Sequence, residues 1–180
     1  IESVLKNRLQ RHHKELFAVV GVTLVDLYPD RNWNFVLGEA SPSTGVGVFS
    51  FARYTRWFTE AWDARFAGSS LESIRPLEWT ELVKDKLALR RALQTLVHEI
   101  GHLFHFDHCI YYQCVMNGSN HLEEADESPM HLCPVCFRKF YSVAAKTQQP
   151  WDIVQRYKSL AEILESLELT AEVQSSRETL

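Results

Sequence analysis

The chain has 180 residues, 46% of them hydrophobic and 12% aromatic, and a net charge of −4 made of interspersed signs. That is enough apolar content for a real core and the wrong balance for a protein that coats nucleic acid. No apolar run approaches the roughly 20 residues of a membrane span. The first residue is Ile1 rather than Met, which reads as a fragment, and no signal peptide is recognisable.

Residues 1–15 carry Ile1, Val4, Leu5 and Leu9 at helical spacing and predict a surface helix, on which His12 and His13 are expected to be exposed and inert. Residues 16–29, LFAVVGVTLVDLYP, are nearly continuously apolar, as in a strand covered on both faces. After a turn at RNWN, strands are expected over 35–41 and 45–54, the second with glycines that let another backbone approach. Residues 55–79 are rich in aromatics without a clear period, and WFTEAWDARF reads as a short helix or a loop. From Thr80, a suitable N-cap, the positions Leu82, Leu89, Leu93, Leu96, Ile100 and Leu103 predict one amphipathic helix over about 80–104.

Residues 109–136 have no period and read as an irregular segment held by something other than a core. A helix is expected from about Pro134 to Lys146. Another begins near Trp151, with Ile153, Val154, Tyr157, Leu160, Ile163, Leu164 and Leu167 as its stripe. The polar residues 170–180 read as a disordered tail. There are no internal repeats. The organisation expected is one domain over 1–169, with a sheet-bearing part to about 104 and a knuckle and helical part over 105–169.

All four cysteines, Cys109, Cys114, Cys133 and Cys136, fall within 28 residues, spaced C-x4-C and C-x2-C. Two disulfides are one reading. Disulfide scaffolds usually spread cysteines along the chain, whereas this knuckle spacing favours a four-cysteine zinc site.

HEIGHLFHFDHC, residues 98–109, places His98 and His102 four apart with Glu99 between. Positions i and i+4 stack on one helix face, so both rings can address one ion while Leu96 and Ile100 turn to the core. H-E-x-x-H on a helix means zinc with a glutamate base. Zinc with three neutral protein ligands keeps an open position, and water there loses its proton near neutral pH. Glu99 would accept that proton and pass it to the leaving amine of a cleaved peptide. The third ligand stays open at this point. On a continued helix His105 falls about 20° from His98 in azimuth, whereas His108 would lie about 15 Å along the axis. His108 is available only if the helix ends near Phe104 and the chain turns back.

HEIGHLFHFDHC, then CVM at 114–116, then CPVC at 133–136, resemble the archaemetzincins, a branch of the metzincin zinc metallopeptidases. That family's signature runs H-E-x-x-H-x-x-G-x-x-H-C, C-x-M, C-x-x-C. GVFSFARY and NGSNHLEEAD are also similar to it. The resemblance implies two Zn2+ per chain. His98, His102 and His108 would hold a catalytic zinc with Glu99 as base, and Cys109, Cys114, Cys133 and Cys136 a structural one. Met116 would be the Met-turn residue, an apolar floor under the catalytic site. The implied fold is α+β and metzincin-like: a twisted mixed β-sheet with an antiparallel edge strand, from about residues 45–52, over a long active-site helix. An irregular zinc-knuckle segment and C-terminal helices follow. The edge strand would pair with extended substrate. This chain has His105 where the family has glycine, at an expected cost of about 1 kcal/mol for positive φ. Cys109, tied to the second zinc, can hold the reversal that His108 needs.

His121 and His131 lie near the knuckle and are expected to touch neither metal nor substrate. Glu123, Glu124, Asp126 and Glu127 read as a solvated acidic loop, and Tyr111 and Tyr112 as packing. The leading function is a zinc peptidase acting on short or unfolded peptides as a monomer, aminopeptidase-like in its finer expectation. Its expected place is the cytoplasm, with the nucleus as a second location. No nucleic acid or membrane partner is expected. One alternative is a peptide-binding pseudo-peptidase that keeps its zinc but cuts weakly or not at all. The other is a zinc-knuckle interaction module, against which Arg138, Lys139 and Lys146 are matched by four acids.

Overall fold

The computed structural model describes residues 16–28, 35–55, 58, 78–119, 121–144 and 152–169. The expected helix over 1–15, most of the aromatic stretch and the tail lie outside these. The chain divides into two compact units, 1–105 and 106–180. Among the described residues the architecture is mixed α and β, a small sheet followed by helices.

The first unit holds three strands, β1 (Val19–Thr23), β2 (Gly38–Ser41) and β3 (Val46–Ser50), in the order β1-β3-β2. β3 runs parallel to β1, with Val19 opposite Val46, and antiparallel to β2, with Gly38 opposite Phe49. Every residue of β3 is buried. The strand expected at the sheet edge is therefore the middle of the three described strands. Its apolar run reflects cover on both faces, which does not by itself say whether the strand has one neighbour or two. Conversely, 16–29 yields only the five-residue β1, whose Val22 is exposed. Its apolar character beyond Thr23 serves an isolated bridge between Leu27 and Val36.

Two glycines fit the sheet to one ring. A Cβ on Gly47 would stand 2.6 Å from Phe49 Cζ, and one on Gly38 would run into the same ring. Phe49 is fully buried in the space these glycines leave. Gly45, at φ 64, closes the four-residue turn between β2 and β3, as left-handed backbone favours glycine. Beside the sheet Arg53 donates to both carboxylate oxygens of Asp26 at 2.7 Å, and its guanidinium lies 3.6 Å from the centre of the Phe35 ring.

The single helix expected over 80–104 is two: α1 (Trp79–Lys84) and α2 (Lys86–Leu103). Asp85 sits between them in extended conformation, and its carboxylate accepts from the Ala88 N–H at 3.1 Å. The apolar spacing continues through 85, but a capping aspartate starts a new helix. Glu78, not Thr80, is the N-cap of α1. α2 packs on β2 and β3, and its buried apolar residues are Ala88, Leu89, Ala92 and Leu103. Tyr54 shares a 2.6 Å hydrogen bond with Thr95 of α2, and burial pushes its phenol up to about 12.

The second unit holds α3 (Leu122–Glu127), α4 (Pro134–Ala144) and α5 (Ile153–Ser166). A buried cluster of Cys109, Cys114, Val115, Met116, Cys133 and Cys136 forms a core, with Phe106, Leu132 and Val135 against it. α5 buries Tyr157, Ala161 and Leu164, whereas Ile153, Val154 and Ile163 of the expected stripe are exposed. Glu168, at φ 58, ends α5, and the Leu169 N–H reaches back to the Leu164 carbonyl at 2.9 Å, a left-handed helix stop. No helix among the described residues is long and apolar enough to cross a membrane.

Candidate metal centres and active site

His98 and His102 stand one turn apart near the end of α2. Their Nε2 atoms are 3.0 Å apart and their rings meet edge to face at 82°. Two nitrogens on a tetrahedral zinc with bonds of about 2.05 Å stand about 3.3 Å apart, so the pair converges at close to metal-site spacing. Glu99 lies between them in the chain. Burial pushes its carboxyl above the usual carboxylate range, and the positive charge His102 can carry works the other way.

The helix ends one residue later. Phe104 caps it, its N–H reaching the Gly101 carbonyl at 3.0 Å. His105 follows at φ 61 with its N–H on the His102 carbonyl at 2.8 Å. Left-handed backbone after the C-cap is a common way for a helix to stop, and here a histidine adopts it. Along the same continuous stretch comes His108. His98, His102 and His108 each offer a ring nitrogen, and these atoms lie within 4.8 Å of one another. His105 is not in that group.

The four cysteines also offer sulfurs within 4.8 Å of one another. All four are buried free thiols. Cys109 Sγ and Cys133 Sγ are 3.7 Å apart, far beyond a disulfide's roughly 2.05 Å. Sulfurs on a tetrahedral zinc, with arms of about 2.3 Å, stand about 3.8 Å apart. The donor set fits that ion. Backbone N–H groups already point at sulfur, from Cys133 and Met116 to Cys114 Sγ and from Cys136 to Cys133 Sγ. Burial pushes the Cys109 thiol up, but backbone N–H groups at Tyr111 and Tyr112 and the neighbouring thiols outweigh it and hold it at about 7. Burial raises Cys114 and Cys136, and for Cys136 the neighbouring thiols add to the rise.

Met116 is fully buried, and its carbonyl accepts from the Cys109 N–H at 2.7 Å. The fastening of this loop falls to a residue the sequence did not single out. Asn117 donates from Nδ2 to the Cys109 and Tyr112 carbonyls at 2.8 and 3.0 Å, and its Oδ1 accepts from the Cys114 N–H at 2.7 Å. Only the MNGSN turn composition hinted at it. Tyr111 and Tyr112, expected to pack, are exposed, and what the loop uses is their backbone. His121 caps α3, its Nδ1 accepting from the Glu124 N–H at 3.3 Å. The His131 carbonyl accepts from the Val115 N–H at 2.9 Å.

A match to Peptidase family M54 covers residues 71–142. The chain is 41% identical over 155 residues to Archaemetzincin-2 of Rattus norvegicus, covering 82% of this chain and 41% of that protein. It is 42% identical over 163 residues to Archaemetzincin-2 of Homo sapiens, covering 87% and 44%. Archaemetzincin from Methanopyrus kandleri superposes with a TM-score of 0.54 at 27% identity, over 81% of this chain and 66% of that one. The proteins these matches name are M54 peptidases and archaemetzincins. Over most of its length the chain is similar to the archaemetzincins. It spans about two fifths of the length of the curated relatives it matches.

Proposed function

We propose that this chain carries the catalytic part of a zinc-dependent metallopeptidase, with His98, His102 and His108 as ligands of a catalytic zinc and Glu99 as general base. The observation that carries the reading is three imidazole nitrogens within 4.8 Å of one another, with the half-buried carboxyl of Glu99 near enough to His102 to interact with its charge. Bound zinc supplies a Lewis acid and a water of lowered pKa. The rest is the protein's own chemistry. Glu99, its proton affinity raised by burial, takes a proton from the attacking water and delivers it to the leaving amine. It sits on α2, whose buried face against the sheet keeps its position.

Cys109, Cys114, Cys133 and Cys136 would hold a second, structural zinc, giving two per chain, with Met116 in the Met-turn. Sulfur spacing and N–H donors aimed at sulfur support this. On this reading residues 1–169 form one catalytic domain with an active-site helix and a zinc knuckle. Its substrate is a peptide or unfolded polypeptide, trimmed from the amino end, and it works as a monomer in the cytoplasm or nucleus without nucleic acid or membrane. The deciding experiment is elemental analysis of the purified chain beside hydrolysis of fluorogenic peptides with free and blocked amino ends. Two zincs and chelator-sensitive cleavage are expected. A chain that binds zinc at the cysteines alone and cleaves nothing would overturn the assignment.

A further inference from the structure

His108 is the exposed member of the histidine group. The backbone of Gly118 lies close to its ring. A Cβ on Gly118 would lie 2.9 Å from His108 Nδ1, 3.2 Å from Cε1 and 3.3 Å from Cγ. Cβ contacts under about 3.0 Å essentially never occur, so the bare Cα of Gly118 forms a wall that a side chain would push into the ring. Gly118 needs no glycine on conformational grounds, because Gly45 is the glycine at positive φ among the described residues. Its value lies in the space beside His108.

That wall is fastened independently of the ring. Asn117, the preceding residue, is bonded to Cys109, Tyr112 and Cys114, and its own N–H reaches the Cys114 carbonyl at 3.0 Å. His108 precedes Cys109 by one peptide bond. The imidazole and the surface it rests on are thus both suspended from the cysteine-bearing loop. An imidazole is rigid, so displacing one edge by a few tenths of an ångström swings the nitrogen that faces an ion. We propose that Gly118, held by Asn117, is a positioning residue for His108 and sets the affinity of the histidine site for its metal. This rests on the reading of His98, His102 and His108 as ligands.

The test is a cobalt titration of the metal-free full chain. Cobalt on thiolates gives intense charge-transfer absorption, and cobalt on imidazoles gives weak d–d absorption, so the two sites are read separately. For Gly118→Ala the d–d signal is expected at about 10- to 100-fold higher cobalt, the range for groups that orient a ligand from behind, with the thiolate signal unmoved. In a His108→Ala background the same substitution should change nothing further. Unaltered affinity in Gly118→Ala overturns the proposal, and so does a parallel loss of both signals, which would make Gly118 a residue of loop folding alone. If Gly118→Ala fails to fold, Gly118→Ala with His108→Ala should fold, because the clash is with the ring; an insoluble double variant also overturns it. A wild-type chain showing the thiolate signal alone would instead bring down the histidine-site reading itself, and the proposal with it.

Discussion

The backbone N–H of His105 donates to the carbonyl of His102 at 2.8 Å, with His105 at φ 61. A β-carbon in that region costs about 1 kcal/mol or more relative to glycine. His105→Gly should therefore raise the melting temperature by a few degrees and leave zinc bound. His108→Ala should lose or strongly weaken the histidine-site zinc. Bound zinc and melting curves for the two variants check this; if zinc leaves with His105→Gly and stays with His108→Ala, His105 is the ligand.

Glu99→Ala should lower kcat for peptide hydrolysis by about 10²- to 10⁴-fold, the usual contribution of a positioned base, at unchanged zinc content. The role is that of a base beside the metal, so turnover and metal should separate. Elemental analysis paired with steady-state kinetics reads both, and unchanged turnover would remove the peptidase assignment.

Cys133→Ser should lose one zinc and melt much lower, because a structural metal's binding energy is folding energy. Cys133 Sγ is 3.7 Å from Cys109 Sγ and accepts from the Cys136 N–H, so one change removes a sulfur of the set and the acceptor of that N–H. Thiol titration of the wild-type chain with and without chelator is the companion measurement: four reactive thiols should appear only once metal is removed.

Gly47→Ala should destabilise the first unit by about 1–3 kcal/mol, the usual cost of overpacking, since its Cβ would press on Phe49 at 2.6 Å. Gly47→Ala combined with Phe49→Leu should cost less than the two single changes added together. Chemical denaturation of the four proteins measures that coupling.

Asp85→Ala should cost about 1 kcal/mol, read in the same way, because it removes the acceptor for the Ala88 N–H that starts α2.

What the sequence by itself determined is chemistry that repeats over short spacing. Helical period puts His98 and His102 on one face whatever the rest of the chain does, and cysteines at C-x4-C and C-x2-C are close neighbours before any folding. The two corrected elements failed for want of non-local information. The apolar run at 45–54 is equally compatible with an edge or a centre, and only pairing with both Val19 and Gly38 makes β3 central. The stripe through 82–103 hides a break because apolar spacing does not register a capping carboxylate at Asp85. Local geometry also left His105 and His108 undecided. What the folded chain adds is a left-handed stop at His105 and, after it, a loop tied down by Asn117, and His108 rather than His105 is the histidine that groups with His98 and His102. Where a helix ends is a balance of about 1 kcal/mol at the stop against contacts made many residues away, and those contacts exist only once the chain has folded.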